Sequence, residues 1–258
     1  MKVAVCLSGE PRDFHYIWND FLQKINTNAV DFYVHTWHTH CHTSQLPSHN
    51  QRPANYQGML INIPSSEYIP LVQPKDFLVE DFFKSNPYLR FAPYTVPSTI
   101  TRMYSMYYGI QASIGLANQD NYDYIIRTRP DVFLEAPLDW ANINTHFDAH
   151  PTSILIPELW FNIGGLSESW SVNTGQCPDF FCIYKSSTKI FNDVYDCIPQ
   201  FCGLHTNRSI RDFGNLPSIP EDYLLSYLIS KNVDIEKMSI KMMLARHHRQ
   251  IVNKEQIL

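Results

Sequence analysis

The chain has 258 residues, 44% of them hydrophobic and 17% charged, with a formal net charge of −5. This is the composition of a globular protein, and its acidic balance argues against a nucleic-acid partner. No stretch approaches the roughly 20 apolar residues of a membrane-spanning helix, and no linker rich in Gly, Ser or charge divides the sequence. Residues 1–258 are therefore expected to form one domain, near the upper size of a single core.

The opening run Met1-Lys2-Val3-Ala4-Val5-Cys6-Leu7 is short for a secretory signal and is stopped by Ser8-Gly9-Glu10-Pro11-Arg12. A cytoplasmic protein with reduced cysteines is the expectation. The pairs Cys177/Cys182 and Cys197/Cys202 repeat one spacing. Structural zinc pairs sit closer together, so buried thiols account for them better.

Lys2 to Leu7 is a nearly continuous apolar run, as expected of a parallel strand buried on both faces. Apolar residues at 14, 17, 18, 21, 22 and 25 then recur at helical spacing. Asp31 to Trp37 reads as a second strand, which completes a βαβ unit. Residues 41–75 are polar, Pro-rich and without period, so an irregular segment is expected there.

From Ser98 or Thr99 as N-cap, Ile100, Met103, Tyr104, Tyr107, Ile110 and Ile114 form one apolar stripe of a helix. Further strands are expected at 122–126, 153–156 and 180–184. Ser186-Ser187 is expected to cap a helix reaching Cys197, and Pro220-Glu221-Asp222 to open another over 223–230. The basic run from Lys241 to Arg249 reads as a solvated helix face. Strands alternating with helices define an α/β class with a mixed, mostly parallel sheet flanked by helices. Such sheets bind ligands beyond the carboxyl ends of their strands. The polar clusters at 8–12, 35–42 and 127–131 all follow strands at that end.

Within Arg127-Thr128-Arg129-Pro130-Asp131, strand alternation would put residues 127, 129 and 131 on one face. Guanidinium groups hold phosphate oxygens through forked hydrogen bonds, and a carboxylate can hold a divalent cation bridging a diphosphate. A plain Arg–Asp ion pair explains the same residues. The run His35-Thr36-Trp37-His38-Thr39-His40-Cys41-His42 has alternating imidazoles but no acidic neighbour in sequence. A loop beside a cleft, with Trp37 packed at its edge, is preferred to a zinc site. No Walker loop, Gly-x-Gly-x-x-Gly fingerprint or Gly-x-Ser-x-Gly elbow is present, which disfavours P-loop, dinucleotide and serine-hydrolase chemistry.

Six pieces occur in order between residue 3 and about residue 228. They are Ser8-Gly9-Glu10-Pro11-Arg12, His35-Thr36-Trp37, the helix around Met106-Tyr107-Tyr108, Ile126 to Asp131, Asp179-Phe180-Phe181 and Pro220-Glu221-Asp222. In this set the chain resembles the GT-A fold glycosyltransferases, in particular small bacterial and viral members of the surface-polysaccharide type. The resemblance implies a GT-A-like, Rossmann-like fold. Residues 1–150 would form a nucleotide-binding half and residues 151–258 an acceptor half. It implies transfer of a sugar from a nucleotide-sugar donor to a hydroxyl of a glycan or other acceptor, as in surface-polysaccharide synthesis.

By the same resemblance Ser8, Gly9 and Arg12 contact the nucleotide, and Asp131 ends the metal-binding Asp-x-Asp motif. Arg129 stands in place of the first acid of that motif, so Arg127 and Arg129 are expected to offset the charge of the leaving diphosphate. Arg102 is a further candidate for donor phosphate. If Mn²⁺ or Mg²⁺ is used, Asp131 and the late His247 (or its neighbour His248) are its implied ligands. Asp222 or Glu221 would be the base of an inverting reaction, with Asp179 as second choice; helix capping explains the acidic pair equally. A nucleotidyltransferase is a rival reading, although it lacks its Gly-rich loop and Lys here. A non-catalytic sugar- or nucleotide-binding module of the same fold is another.

Overall fold

A computed structural model of the chain describes residues 1–9, 11, 14–37, 65–80, 98–118, 121–160, 181–198 and 220–244. In chain order the elements are β1 (Val3–Ser8), α1 (Phe14–Ile25), β2 (Val30–Trp37), α2 (Ser65–Val72), β3 (Asp76–Glu80) and α3 (Ser98–Ala117). They continue with β4 (Tyr124–Thr128), β5 (Val132–Leu134), α4 (Trp140–Ala149), β6 (Ile154–Trp160), β7 (Phe181–Lys185), α5 (Pro220–Ser230) and β8 (Ile235–Leu244).

The strands form one sheet in the order β3-β2-β1-β4-β7-β6-β8-β5. The pairings β3–β2, β2–β1, β1–β4 and β6–β8 are parallel; β4–β7, β7–β6 and β8–β5 are antiparallel. This is a Rossmann-like α/β fold with a mixed, mostly parallel sheet.

All six residues of β1 are buried, because helices cover both faces of the sheet. Val3, Val5 and Leu7 point into a core with Phe14, Trp18, Phe21 and Ile25 of α1, Tyr68 of α2, and Ile143 and Phe147 of α4. Ala4 and Cys6 point to the other face, into a core with Tyr104, Tyr107, Ile110 and Ile114 of α3 and Tyr223, Tyr227 and Leu228 of α5. Cys6, Cys182 and Cys197 are buried free thiols. Burial pushes the Cys182 thiol up to about 12, against the opposing pull of Arg127, so it stays protonated and inert at neutral pH.

Several boundaries differ from the sequence-based expectation. Helix α2 lies inside the stretch 41–75 where an irregular segment was expected and carries Pro70 within it, and β3 follows just beyond that stretch, where no element was expected. Strand β4 runs two residues past the expected end, so Arg127 is a strand residue. No long helix follows Ser186: a 3-10 turn over Ser186–Thr188 ends at Lys189 with φ 48°, and consecutive turns follow. Lys241 belongs to strand β8 rather than to a helix face.

Two carboxylates fasten neighbouring segments to one another. Asp31 accepts from the Tyr122 hydroxyl at 2.6 Å and from Lys75 at 3.3 Å. Asp193 accepts from Tyr227 at 2.6 Å and from Lys231 at 2.5 Å, which ties α5 to the turns after β7. For each, partial burial alone would raise the pKa, but the hydrogen bonds and cations outweigh it and hold the carboxyl below its ordinary 3.8. A lowered folded pKa gives stability that is present above 3.8 and is lost as pH falls through the folded value. Both groups are partly exposed, so each contributes about 0.2–1 kcal/mol. Asp31→Asn and Asp193→Asn are expected to flatten the loss of urea stability between about pH 5 and pH 2, measured as the midpoint against pH.

Candidate functional site

The order β3-β2-β1-β4 means that the chain builds outward from β1 on one side and then crosses to its other side. The β1/β4 boundary is therefore a topological switch point, and the crevice beyond its carboxyl ends is where open α/β sheets take ligands. Ser8 ends β1 there, and Gly9 turns the chain with φ 118°, a conformation open to glycine. A β-carbon on Gly9 would lie 3.8 Å from Pro130 Cδ, so the turns after β1 and β4 meet at this point. Thr36, at the end of β2, donates to the Gly9 carbonyl at 3.4 Å.

Beyond β4, Arg129 clamps Asp131 with two parallel hydrogen bonds, Nε to Oδ1 at 2.8 Å and Nη2 to Oδ2 at 2.7 Å. The Asp131 side chain is 3% exposed and that of Arg129 27% exposed, so the acid is interior and the guanidinium reaches the surface. Beneath α2, burial raises the Tyr68 hydroxyl pKa and the Asp131 charge raises it further.

Arg127 does not share this rim. Its register partners are Cys6 on β1 and Cys182 on β7, and it is 2% exposed. The expectation that residues 127, 129 and 131 share one face is corrected by the strand's end at Thr128. The turn at Pro130 breaks the alternation and leaves Arg127 a layer below the crest.

On the α3 side of the crest a second group assembles. His35 Nε2 lies 3.0 Å from Glu80 Oε2, and Tyr108 donates to Glu80 Oε1 at 3.0 Å. The His35 ring meets Trp37 edge-on at 4.7 Å, and Trp37 stacks on Tyr108 at 5.7 Å. Burial and the hydrogen bond to Glu80 push the Tyr108 hydroxyl pKa well up, so the phenol is a donor throughout the physiological range. Sequence reasoning missed Glu80. The available signal was the run Phe77-Leu78-Val79 directly before it, another strand with a polar residue at its carboxyl end.

The structure thus brings Ser8, Gly9, Arg129 and Asp131 together at the crest. Arg102 lies in the first turns of α3, and Glu221 and Asp222 in the first turn of α5. The latter helix is placed by Tyr223, whose ring lies 4.6 Å from that of Tyr107 and whose hydroxyl donates to the Val194 carbonyl. Arg12, Asp179, His247, His248 and the run's His38, His40 and His42 lie outside the described residues.

The described residues do not fit a resident divalent cation. Both oxygens of Asp131 are engaged by Arg129, and no group of three or more His, Cys, Asp or Glu is arranged to hold a metal among the described residues. No helix among them is long and apolar enough to cross a membrane.

No protein-family model matches the chain, and no curated protein matches it in sequence. Among solved structures it is similar to a provisionally named nucleotide-diphospho-sugar transferase from Desulfovibrio desulfuricans G20. The two are 9% identical with a TM-score of 0.37, over 92% of this chain and 80% of that one. A likeness of that degree carries nothing about chemistry, and the fold assignment rests on the strand order.

Proposed function

We propose that the chain is a glycosyltransferase that takes a sugar from a nucleotide-sugar donor and moves it to an acceptor hydroxyl, in glycan or surface-polysaccharide synthesis. The observation that carries this reading is the switch point between β1 and β4, with the Gly9 turn on one side and the partly exposed Arg129 guanidinium on the other. The donor diphosphate lies over that crevice. Glu80 stands two strands away, about 10 Å at ordinary strand spacing, which is the span from a diphosphate to its nucleoside. Its carboxylate there suits the nucleoside hydroxyls.

In the reaction the acceptor oxygen attacks the sugar carbon, its proton passes to Asp222 or Glu221, and the nucleoside diphosphate departs. Arg129 offsets the charge that develops on the departing phosphate, the part a metal ion plays in related enzymes. Arg102, Arg12 and Ser8 support the donor around this centre, Arg127 adds positive charge from the layer beneath it, and Asp131 holds Arg129 in place.

A thermal-shift screen against UDP, GDP, dTDP, CDP and CMP, with and without Mn²⁺, tests the reading. One nucleotide at about a hundred times its dissociation constant should add roughly 2.7 kcal/mol. That corresponds to a rise in melting temperature of about 5–10 °C. The shift is expected to be the same with EDTA as with Mn²⁺. Silence across the panel in folded protein removes the donor reading and favours a sugar-binding module of the same fold.

A further inference from the structure

Helix α3 contains two glycines, and neither has a left-handed backbone. A glycine inside a helix costs about 1 kcal/mol relative to alanine, so each position raises the question of what the missing side chain allows. At Gly115 a β-carbon would meet nothing within 4 Å. At Gly109 it would lie 2.9 Å from His35 Nδ1, 3.5 Å from His35 Cε1 and 3.5 Å from Ser8 Cβ.

The obstacle at Gly109 is a rigid ring with no room to retreat. His35 is 1% exposed and is bounded by the Trp37 and Tyr108 rings. Its Nε2 is tied to Glu80, while Nδ1 has no hydrogen-bond partner and faces the helix. That pattern assigns the proton to Nε2 and the lone pair to Nδ1, because a buried N–H aimed at Gly109 would be left unsatisfied.

We propose that Gly109 is a positioning residue of the donor site. Its missing side chain lets α3 close onto His35, and that contact fixes the His35–Glu80–Tyr108 arrangement beyond β2 and β3. The inference rests on the donor reading above and adds a residue that touches no substrate. It acts through His35 Nε2, and the two glycines of α3 part in their roles: Gly109 serves the site, Gly115 does not.

The experiment measures the dissociation constant of the best-binding nucleoside diphosphate and the melting temperature for wild type, Gly109→Ala, Gly115→Ala, His35→Gln, His35→Asn and the Gly109→Ala/His35→Asn double variant. Gly115→Ala should bind as wild type and melt slightly higher. Gly109→Ala should weaken binding about tenfold or more. His35→Gln, whose amide nitrogen reaches the place of Nε2, should stay within about threefold. His35→Asn reaches only the place of Nδ1 and should weaken binding as Gly109→Ala does. The double variant should be little worse than either single one, since both break the same link.

Wild-type affinity in Gly109→Ala, or additive losses in the double variant, would overturn the proposal and leave the donor reading standing. If Gly109→Ala does not fold, the His35 pair decides: equal affinities for Gln and Asn would overturn it. A wild-type protein that binds no nucleotide overturns the donor reading and this proposal with it.

Discussion

Replacing Asp222 by asparagine is expected to lower the turnover of sugar transfer by about 10²–10⁴-fold, the usual contribution of a general base, while nucleotide affinity stays within about twofold. The expectation comes from where the fold carries the first turn of α5. Its buried face, with Tyr223, Leu224, Tyr227 and Leu228, is packed into the same core as α3. Tyr223 is further held by its hydrogen bond to Val194 and its ring contact with Tyr107. Asp222 opens this anchored helix, and the proposal gives its carboxylate the acceptor proton rather than the diphosphate. Capping alone predicts something different: a loss of about 0.3–1 kcal/mol in stability and no change in rate. Turnover by Asp222→Asn and Glu221→Gln, measured beside their melting temperatures, separates the two. If Glu221→Gln carries the rate loss instead, the base is the earlier acid. Full turnover in both would place the base outside this helix.

The parts of this arrangement that the sequence disclosed are those with a strong local period. Of the predicted α1 stripe, Phe14, Ile17, Trp18, Phe21 and Ile25 are buried while Leu22 is exposed, and Tyr104, Tyr107, Ile110 and Ile114 of the α3 stripe are buried. Strands β1 and β2 were legible as apolar runs that stop at polar residues, and those stops mark half of the crest. Strand β8 hid because its second half was read with the basic run that starts at Lys241, although Met238, Ile240 and Met242 alternate with Ser239 and Lys241. Helix α2 hid because Pro70 sits inside it and its surroundings are polar. The His35–Glu80 contact joins residues 45 apart on neighbouring strands, and only the register of β2 on β3, with Trp37 opposite Glu80, brings them together. The Arg129–Asp131 clamp was foreseeable as an ion pair, but its exclusion of Arg127 was not, since it depends on where β4 stops.

Arg129→Ala is expected to be the most destabilising single change at the crest, by about 3 kcal/mol, and to abolish the stabilisation by nucleoside diphosphate. Asp131 is interior, and the Arg129 guanidinium makes two short hydrogen bonds to it. Removing one partner of a buried pair leaves a desolvated charge, which costs roughly 3–5 kcal/mol. The partial exposure of Arg129 places this case at the lower end. The signature that separates charge from packing is a reversal: Arg129→Ala/Asp131→Asn should be more stable than Arg129→Ala alone, because the buried charge that lost its forked hydrogen bonds is gone. Arg129→Lys should keep much of the stability but bind nucleoside diphosphate poorly, since an ammonium cannot offer the planar fork that grips carboxylate and phosphate together. Urea unfolding of the four proteins, followed by the nucleotide thermal shift on each, reads both effects. A double variant no more stable than Arg129→Ala would show that Asp131 does not depend on this guanidinium for its charge. Loss of nucleotide binding with stability recovered in the double variant would instead locate the diphosphate on Arg129 itself. The crest would then use one side chain twice: inward, to hold a buried acid that fixes its direction, and outward, to meet the phosphate.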